Sequence, residues 1–431
     1  MRPLKQNILR LAVPNIIANI SVPLLSLADA AVLGHLPSEI HLAAVALGGI
    51  VFNFILWGLG FLRMSTTGLT AQEFGRKSDR GMALSFYRPA IIACAFGFIV
   101  LLLQDPIGYI GFNFMEAEES LKVLAYDYYK VRIYAVPAAL MNFVIAGWLL
   151  GMQDSKRAMV LVIVENSVNI GLNIFFVVFM DMKAEGVALG TVIARWIGTL
   201  LGLILMFSAY KKRLRWPGRT ALLQRTELKK LFSVNLNIFI RTMSLIAVFT
   251  WFTYASALKS TATLAVNTLL LQFFMIFSFF MDGFAFAAES LAGRFYGAGQ
   301  FKALGLTLRT IFKWGIVLSI GFSIAYLLGG DFILSVLTSN EKLIVEAKDY
   351  LFFVIAIPII SFAAFLWDGV YTGLTATARM RNIMLISAFA FFFPVYFLLE
   401  YFQIEYYLWI AFLSFFIARS VGMTAFRPKI F

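Results

Sequence analysis

The sequence predicts an all-α polytopic membrane protein with twelve transmembrane helices in two pseudo-symmetric six-helix bundles. Three observations lead there. Of 431 residues, 61% are hydrophobic and 14% charged, whereas a soluble domain is roughly half apolar and a quarter charged. The apolar residues gather in runs long enough to cross a bilayer core of about 30 Å as helices. The chain also repeats at a displacement of 222 residues. That shift sets Leu42 and Ala43 on Leu264 and Ala265, Leu69 on Leu291, and Gly75 on Gly297. It also sets Gly147, Gly151 and Arg157 on Gly369, Gly373 and Arg379. One displacement carries six runs, so the halves share an orientation. Parallel repeats of this kind occur in membrane transporters, with the substrate site between the halves.

The first run, 11–34, contains Pro14, Pro23 and one acid, Asp29. Further runs lie near 42–70, 86–110, 125–151, 158–180 and 185–208. Beyond a basic gap come 231–257, 262–288, 308–330, 346–373, 382–402 and 404–425. The domains expected are a bundle over 1–208, a basic linker over 209–230 and a bundle over 231–431. Net charge is +13, and 25 of the 36 Lys and Arg residues fall in alternate loops on the side of the N-terminus. The opposite loops carry mainly acids, among them Glu39, Asp105, Glu116, Glu118, Glu119 and Asp331. This is the positive-inside pattern, and it places both termini in the cytoplasm. The basic charge is thus explained by topology and does not call for nucleic acid. The linker, YKKRLRWPGRTALLQRTELKK, is expected to be a solvated loop near anionic headgroups. The N-terminus leads straight into a run too long for a signal-peptide core.

Catalytic options are few. His35 and His41, the only histidines, bracket the first outer loop without a partner at metal-ligand spacing. Cys94 is the single cysteine, which excludes an intrachain disulfide and a thiolate cluster. No Gly-rich phosphate loop precedes a Lys-Ser/Thr pair. An ion or substrate gradient is therefore the expected energy source, with no cofactor and no obligate protein partner. A membrane-embedded enzyme would need a nucleophile and base, or a metal pair, at one depth.

Charges within the runs become the candidates, because an acid in a spanning helix costs roughly 2.5–3.5 kcal/mol and generally faces a protein interior or wet cavity. Asp29 stands first. A carboxylate there can exchange a proton between two conformations that wet it differently, and Pro14 and Pro23 let its helix bend. The fifth run carries Glu165, then Asn169 and Asn173 one turn apart; the sixth carries Thr191 and Arg195, again at i and i+4. Asp282 and Glu289 lie two turns apart on one face, which fits an ion relay or a pair of interhelical salt bridges. Asp368 precedes Gly369 and Gly373, as in a tight helix contact or a local unwinding. Arg63, Glu289 and Arg419 fall near cytoplasmic ends, where long side chains reach water or one another.

The stretches ADAAVLGHL (28–36), FLRMSTTGLTAQEFG (61–75), GWLLGMQ (147–153), MDGFAFAAES (281–290) and WDGVYTG (367–373) resemble the DinF-like branch of the MATE (multidrug and toxic compound extrusion) transporters, over essentially the whole chain. The resemblance implies secondary antiport of protons or sodium ions against cytotoxic, mostly organic-cation compounds. It also implies a cavity between two six-helix bundles. The family's first-helix aspartate is similar to Asp29 and its helix-bending proline to Pro14. Its Asn and Asp four apart in the fifth span fall at Asn169 and Asn173, and its sixth-span Thr at Thr191. Asn173 departs from the pattern, an amide replacing a carboxylate, which disfavours a two-acid sodium site and places coupling on Asp29. Arg195 is a further departure, expected to pair with Asp29 or Glu165 or to attract anionic substrates. Proton-driven export of amphipathic cations is the function expected. Sodium coupling, or flipping of a lipid-linked sugar by a cavity lined with Arg63, Arg195 and Arg241, are the alternatives.

Overall fold

The computed structural model describes residues 2–34, 38, 40–113 and 115–428; His35, Glu39 and Lys429 lie outside the described residues. Among those described, twelve helices are long and apolar enough to cross a membrane. They are α1 (Leu4–Gly34), α2 (Ile40–Arg76), α3 (Asp79–Leu102), α4 (Glu119–Gly151), α5 (Ser155–Phe179) and α6 (Lys183–Tyr210), then α7 (Arg225–Lys259), α8 (Thr261–Gly297), α9 (Phe301–Leu337), α10 (Leu351–Gly373), α11 (Thr377–Tyr401) and α12 (Tyr407–Ala425). Large apolar side chains such as Trp57, Phe98 and Leu328 stand exposed, as hydrocarbon-facing positions require.

Starts and stops follow local chemistry. Ser78, Asp154 and Ser260 accept hydrogen bonds from the amides of Gly81, Arg157 and Thr263 at the entries to α3, α5 and α8, occupying donors that a helix start leaves unpaired. The exits reveal the repeat in backbone geometry. Left-handed residues close turns at Lys77, Gln153 and Asp181, and again at Gly299, Thr375 and Gln403, each pair separated by the same 222 residues.

Packing repeats as well. A Cβ built on Gly147 would lie 2.5 Å from the Arg63 carbonyl oxygen, and one on Gly151 would lie 2.8 Å from that of Thr67. In the other half, the corresponding positions Gly369 and Gly373 would meet the carbonyls of Ala285 and Glu289 at 2.1 and 2.3 Å. Small residues four apart let α4 press on α2, and α10 on α8, backbone to backbone. Of the two expectations at Asp368, the tight helix contact is the one observed; α10 runs unbroken through Asp368 to Gly373.

The chain divides into two compact units, Ile17–Asn235 and Leu236–Phe431 with Met1–Ile16. These limits differ from the expected 1–208, 209–230 and 231–431. The start of α1 is counted with the second unit, although α1 is one helix through Pro14 and Pro23. The linker belongs to the first.

The linker is exposed along most of its length, as expected, but it is also pinned to the first unit. Leu214, Ala221 and Leu222 are buried. Tyr87 donates its hydroxyl to the Leu214 carbonyl at 2.9 Å, and Trp216 packs edge-on against Tyr87. Arg88 donates to the carbonyls of Ala221 at 2.7 Å and Leu222 at 3.4 Å. The short helix Arg219–Leu222 has unpaired C-terminal carbonyls, and a guanidinium buried on α3 needs acceptors. Each satisfies the other.

Candidate ion-coupling site

Two polar stripes face each other in the first unit. On α5, Glu165, Asn169 and Asn173 recur every four residues; on α6, Thr191, Arg195 and Thr199 do the same. Successive turns therefore put each set on one helix face. Glycines make room between them: a Cβ on Gly190 would lie 2.1 Å from Asn173 Oδ1, and one on Gly198 would lie 2.7 Å from Glu165 Oε2.

The upper end of this seam holds the predicted group. Asn173 Nδ2 donates to Asp29 Oδ1 at 2.6 Å and lies 3.3 Å from Asn169 Oδ1. Asn169 Nδ2 donates to Thr191 Oγ1 at 3.1 Å, and the Thr191 hydroxyl donates to the Val187 carbonyl at 2.9 Å. Asp29, Asn173, Asn169 and Thr191 thus form one chain of hydrogen bonds. Asp29 is half-buried on α1 and makes no ion pair among the described residues. Asn173 is 1% exposed, and its Oδ1 has no hydrogen-bond partner among the described residues.

One turn away, Arg195 is paired with Glu165. Of the two partners expected for Arg195, it takes Glu165. Asn142 of α4 donates to Glu165 Oε2 at 2.7 Å and to the Arg195 carbonyl at 3.2 Å, and Thr199 donates to Asn142 Oδ1 at 2.8 Å. Asn166 Nδ2 donates to Ser21 Oγ at 2.8 Å, joining α5 to α1.

Several participants escaped sequence reading. Asn142 sits in an apolar run with nothing beside it to mark its role. Arg132, on α4, lies close enough to act on the Asp29 charge. It is held by the Tyr128 hydroxyl and stacked 4.7 Å from the Phe52 ring centroid. A cation over aromatic faces keeps its charge while shedding water.

The remaining candidates lie in the second unit. Asp368 on α10 accepts hydrogen bonds from both Arg241 of α7 and Arg419 of α12 through one oxygen, Oδ2. Arg419 is 2% exposed, so it does not reach water as expected from its position near a helix end; the buried carboxylate holds it instead. Asp282 of α8 acts on Arg419 through space. Glu289, two turns further along α8, is buried. Both acids have partners of their own.

Twelve spanning helices, a repeat visible in turns and contacts, and a half-buried acid held by amides define a multi-pass membrane protein of two equivalent halves. The chain belongs to the MatE family, whose model matches residues 14–175 and again 237–398, starts separated by the internal repeat to within one residue. It is 34% identical over 381 residues to DNA damage-inducible protein F of Escherichia coli (strain K12), covering 88% of this chain and 83% of that protein. It is 29% identical over 219 residues to the multidrug resistance protein NorM of Vibrio cholerae, covering 48% of this chain and 46% of that one. Its fold matches that of a MOP superfamily transporter from Pyrococcus furiosus with a TM-score of 0.89 at 19% identity, over 99% of this chain and 96% of the other.

Proposed function

We propose that this protein is a secondary active antiporter that exports amphipathic, cationic toxic compounds in exchange for protons by alternating access. Family membership supports export, and NorM of Vibrio cholerae is by name a multidrug resistance protein. The observation that carries proton coupling is the Asn173 amide beside Asp29. Ionised Asp29 accepts from Nδ2 at 2.6 Å. A protonated Asp29 would be a donor, and Asn173 Oδ1 is a buried acceptor without a partner. An amide can serve either state because it carries both donor and acceptor; a second carboxylate would serve only one.

Asp29 binds the cationic substrate or the polar seam when ionised. Protonation from outside neutralises it, α1 bends at Pro14 and Pro23, and the substrate leaves. No cofactor takes part. The chain sits in the bacterial inner membrane with both termini in the cytoplasm, as its loop charges favour. Two further observations favour this function over its alternatives. Glu165 of the same unit is matched by Arg195, so among the described residues it is not a bare carboxylate available to share sodium with Asp29. Arg195 and Arg241 are turned onto acids, which weakens the cationic cavity that a lipid-linked sugar would need.

Efflux of a fluorescent cation from proteoliposomes tests the proposal. A pH gradient is expected to drive the wild type, a sodium gradient is not, and Asp29→Asn abolishes transport. Sodium-driven transport that survives Asp29→Asn would overturn it.

A further inference from the structure

We propose that the first unit carries a site for a phosphate-bearing anion, separate from the seam around Asp29. A cavity of about 390 Å³ opens where the end of α2, the start of α3 and the start of α7 meet. That size falls within the range of small-molecule sites. Four cations line it: Arg76, Arg80, Arg88 and Lys230. Two are already matched, Arg76 by Glu73 and Arg88 by Glu227 at 3.7 Å. Arg80 and Lys230 make no ion pair among the described residues, so the cavity holds two uncompensated positive charges.

The backbone adds to that charge. Ser78 and Gly81, from the first turn of α3, and Gln224 and Glu227, from the start of α7, also line the cavity. Both helices are long, and their N-termini carry partial positive charge, although the Gly81 amide at α3 is already taken by Ser78. At α3 the chain supplies an anion of its own: Glu73 lies so close to Gly81 that a Cβ there would be 1.9 Å from its Oε2. At α7 the acid is Glu227, already matched by Arg88, so the unmatched charge is that of Lys230 on α7 and Arg80 on α3. A tetrahedral oxyanion with several acceptor oxygens fits such a set of donors. Phosphate of this kind comes from a soluble phosphate monoester or from a lipid headgroup, and both present the same group.

The test uses the full-length protein in non-ionic detergent, with binding read by thermal shift. The probes are inorganic phosphate, glycerol 3-phosphate, and short-chain phosphatidylglycerol against phosphatidylcholine. A saturable rise in melting temperature with a phosphate probe is expected in the wild type. Affinity should fall about tenfold or more in R80Q/K230Q, from the loss of two charge-assisted contacts. It should be unchanged in K211Q/K212Q, which removes equal charge from the linker outside the cavity. Glu73→Gln removes a competing carboxylate and is expected to tighten binding. Response to glycerol 3-phosphate supports a soluble ligand, and response to phosphatidylglycerol alone supports a headgroup; either sustains the site. Absence of a saturable shift with every probe, or equal binding by wild type and R80Q/K230Q, would overturn it. Asp29→Asn leaves the cavity intact, so binding should persist in that variant whether or not transport depends on Asp29.

Discussion

Under the proposed proton coupling, Asn173 is the residue on which the ionic choice of the first unit turns. An amide at this position gives Asp29 a donor and leaves an acceptor in reserve; a carboxylate would give two negative charges at hydrogen-bond distance, which a bound cation would have to offset. Asn173→Asp is therefore expected to create a sodium response absent from the wild type, seen as a sodium-dependent rise in melting temperature. The Glu165–Arg195 pair has a different character. With side chains 6% and 28% exposed, it is largely withdrawn from solvent. Removing one partner strands a charge, at a cost of about 3 kcal/mol or more, whereas removing both leaves none stranded. Glu165→Gln or Arg195→Gln alone should lower stability by that order, and the double variant should recover part of the loss in a double-mutant cycle followed by thermal unfolding. That Asp29, Asn169, Asn173 and Thr191 are polar residues in apolar helices is visible in the chain. Which acid Arg195 meets is not, because that depends on the axial offset of α5 and α6 against α1.

At the scale of elements, the paired glycines set how near two helices come. Gly147 and Gly151 on α4, and Gly369 and Gly373 on α10, each abut a carbonyl of the neighbouring helix. A methyl group at these sites meets backbone, which cannot rotate away. Gly369→Ala is expected to cost about 1–3 kcal/mol, the usual range for overpacking a close contact. Gly171, with open space around its Cα, is the control, and Gly171→Ala should leave the melting temperature nearly unchanged. The spacing of these glycines can be read from the chain, and their recurrence after 222 residues marks them as one device used twice. The left-handed turn residues are less legible. Only one of the six is glycine, so composition gave no sign of them, and they emerge only from backbone geometry.

At the scale of the whole molecule, the linker 209–230 changes from an expected tether into a strap docked on the first unit. Its anchors are Tyr87 and Arg88, whose hydrogen bonds fall on linker carbonyls. Backbone acceptors leave no trace in side-chain chemistry, and a run of Lys and Arg reads as solvated whether or not its apolar residues are tucked in. Arg88→Gln is expected to free the short helix Arg219–Leu222. Limited trypsin digestion of the purified protein should then cut faster at Arg219 and Arg225 than in the wild type, while cleavage at Lys302, at the exposed start of α9, stays constant. Equal rates at both places would mean that the strap is held by Leu214 and Trp216 instead.

Hydropathy, loop charge and the 222-residue displacement are properties of the chain itself, and they were enough for twelve helices, two equivalent halves and a short set of candidate acids. Each rests on an interaction that is local or summed along the sequence: transfer of a run into hydrocarbon, exclusion of cations from the outer face, or recurrence of one motif. Tertiary structure decided the partners. Asp29 meets Asn173, Glu165 meets Arg195, Asp368 meets both Arg241 and Arg419, and Arg88 meets linker carbonyls. These groups are far apart in the chain, and the rotation and depth of each helix determine which of them touch. A buried charge takes whichever partner lies within reach, because leaving it alone in a low-dielectric interior costs several kcal/mol. Only the packed helices say which partner that is.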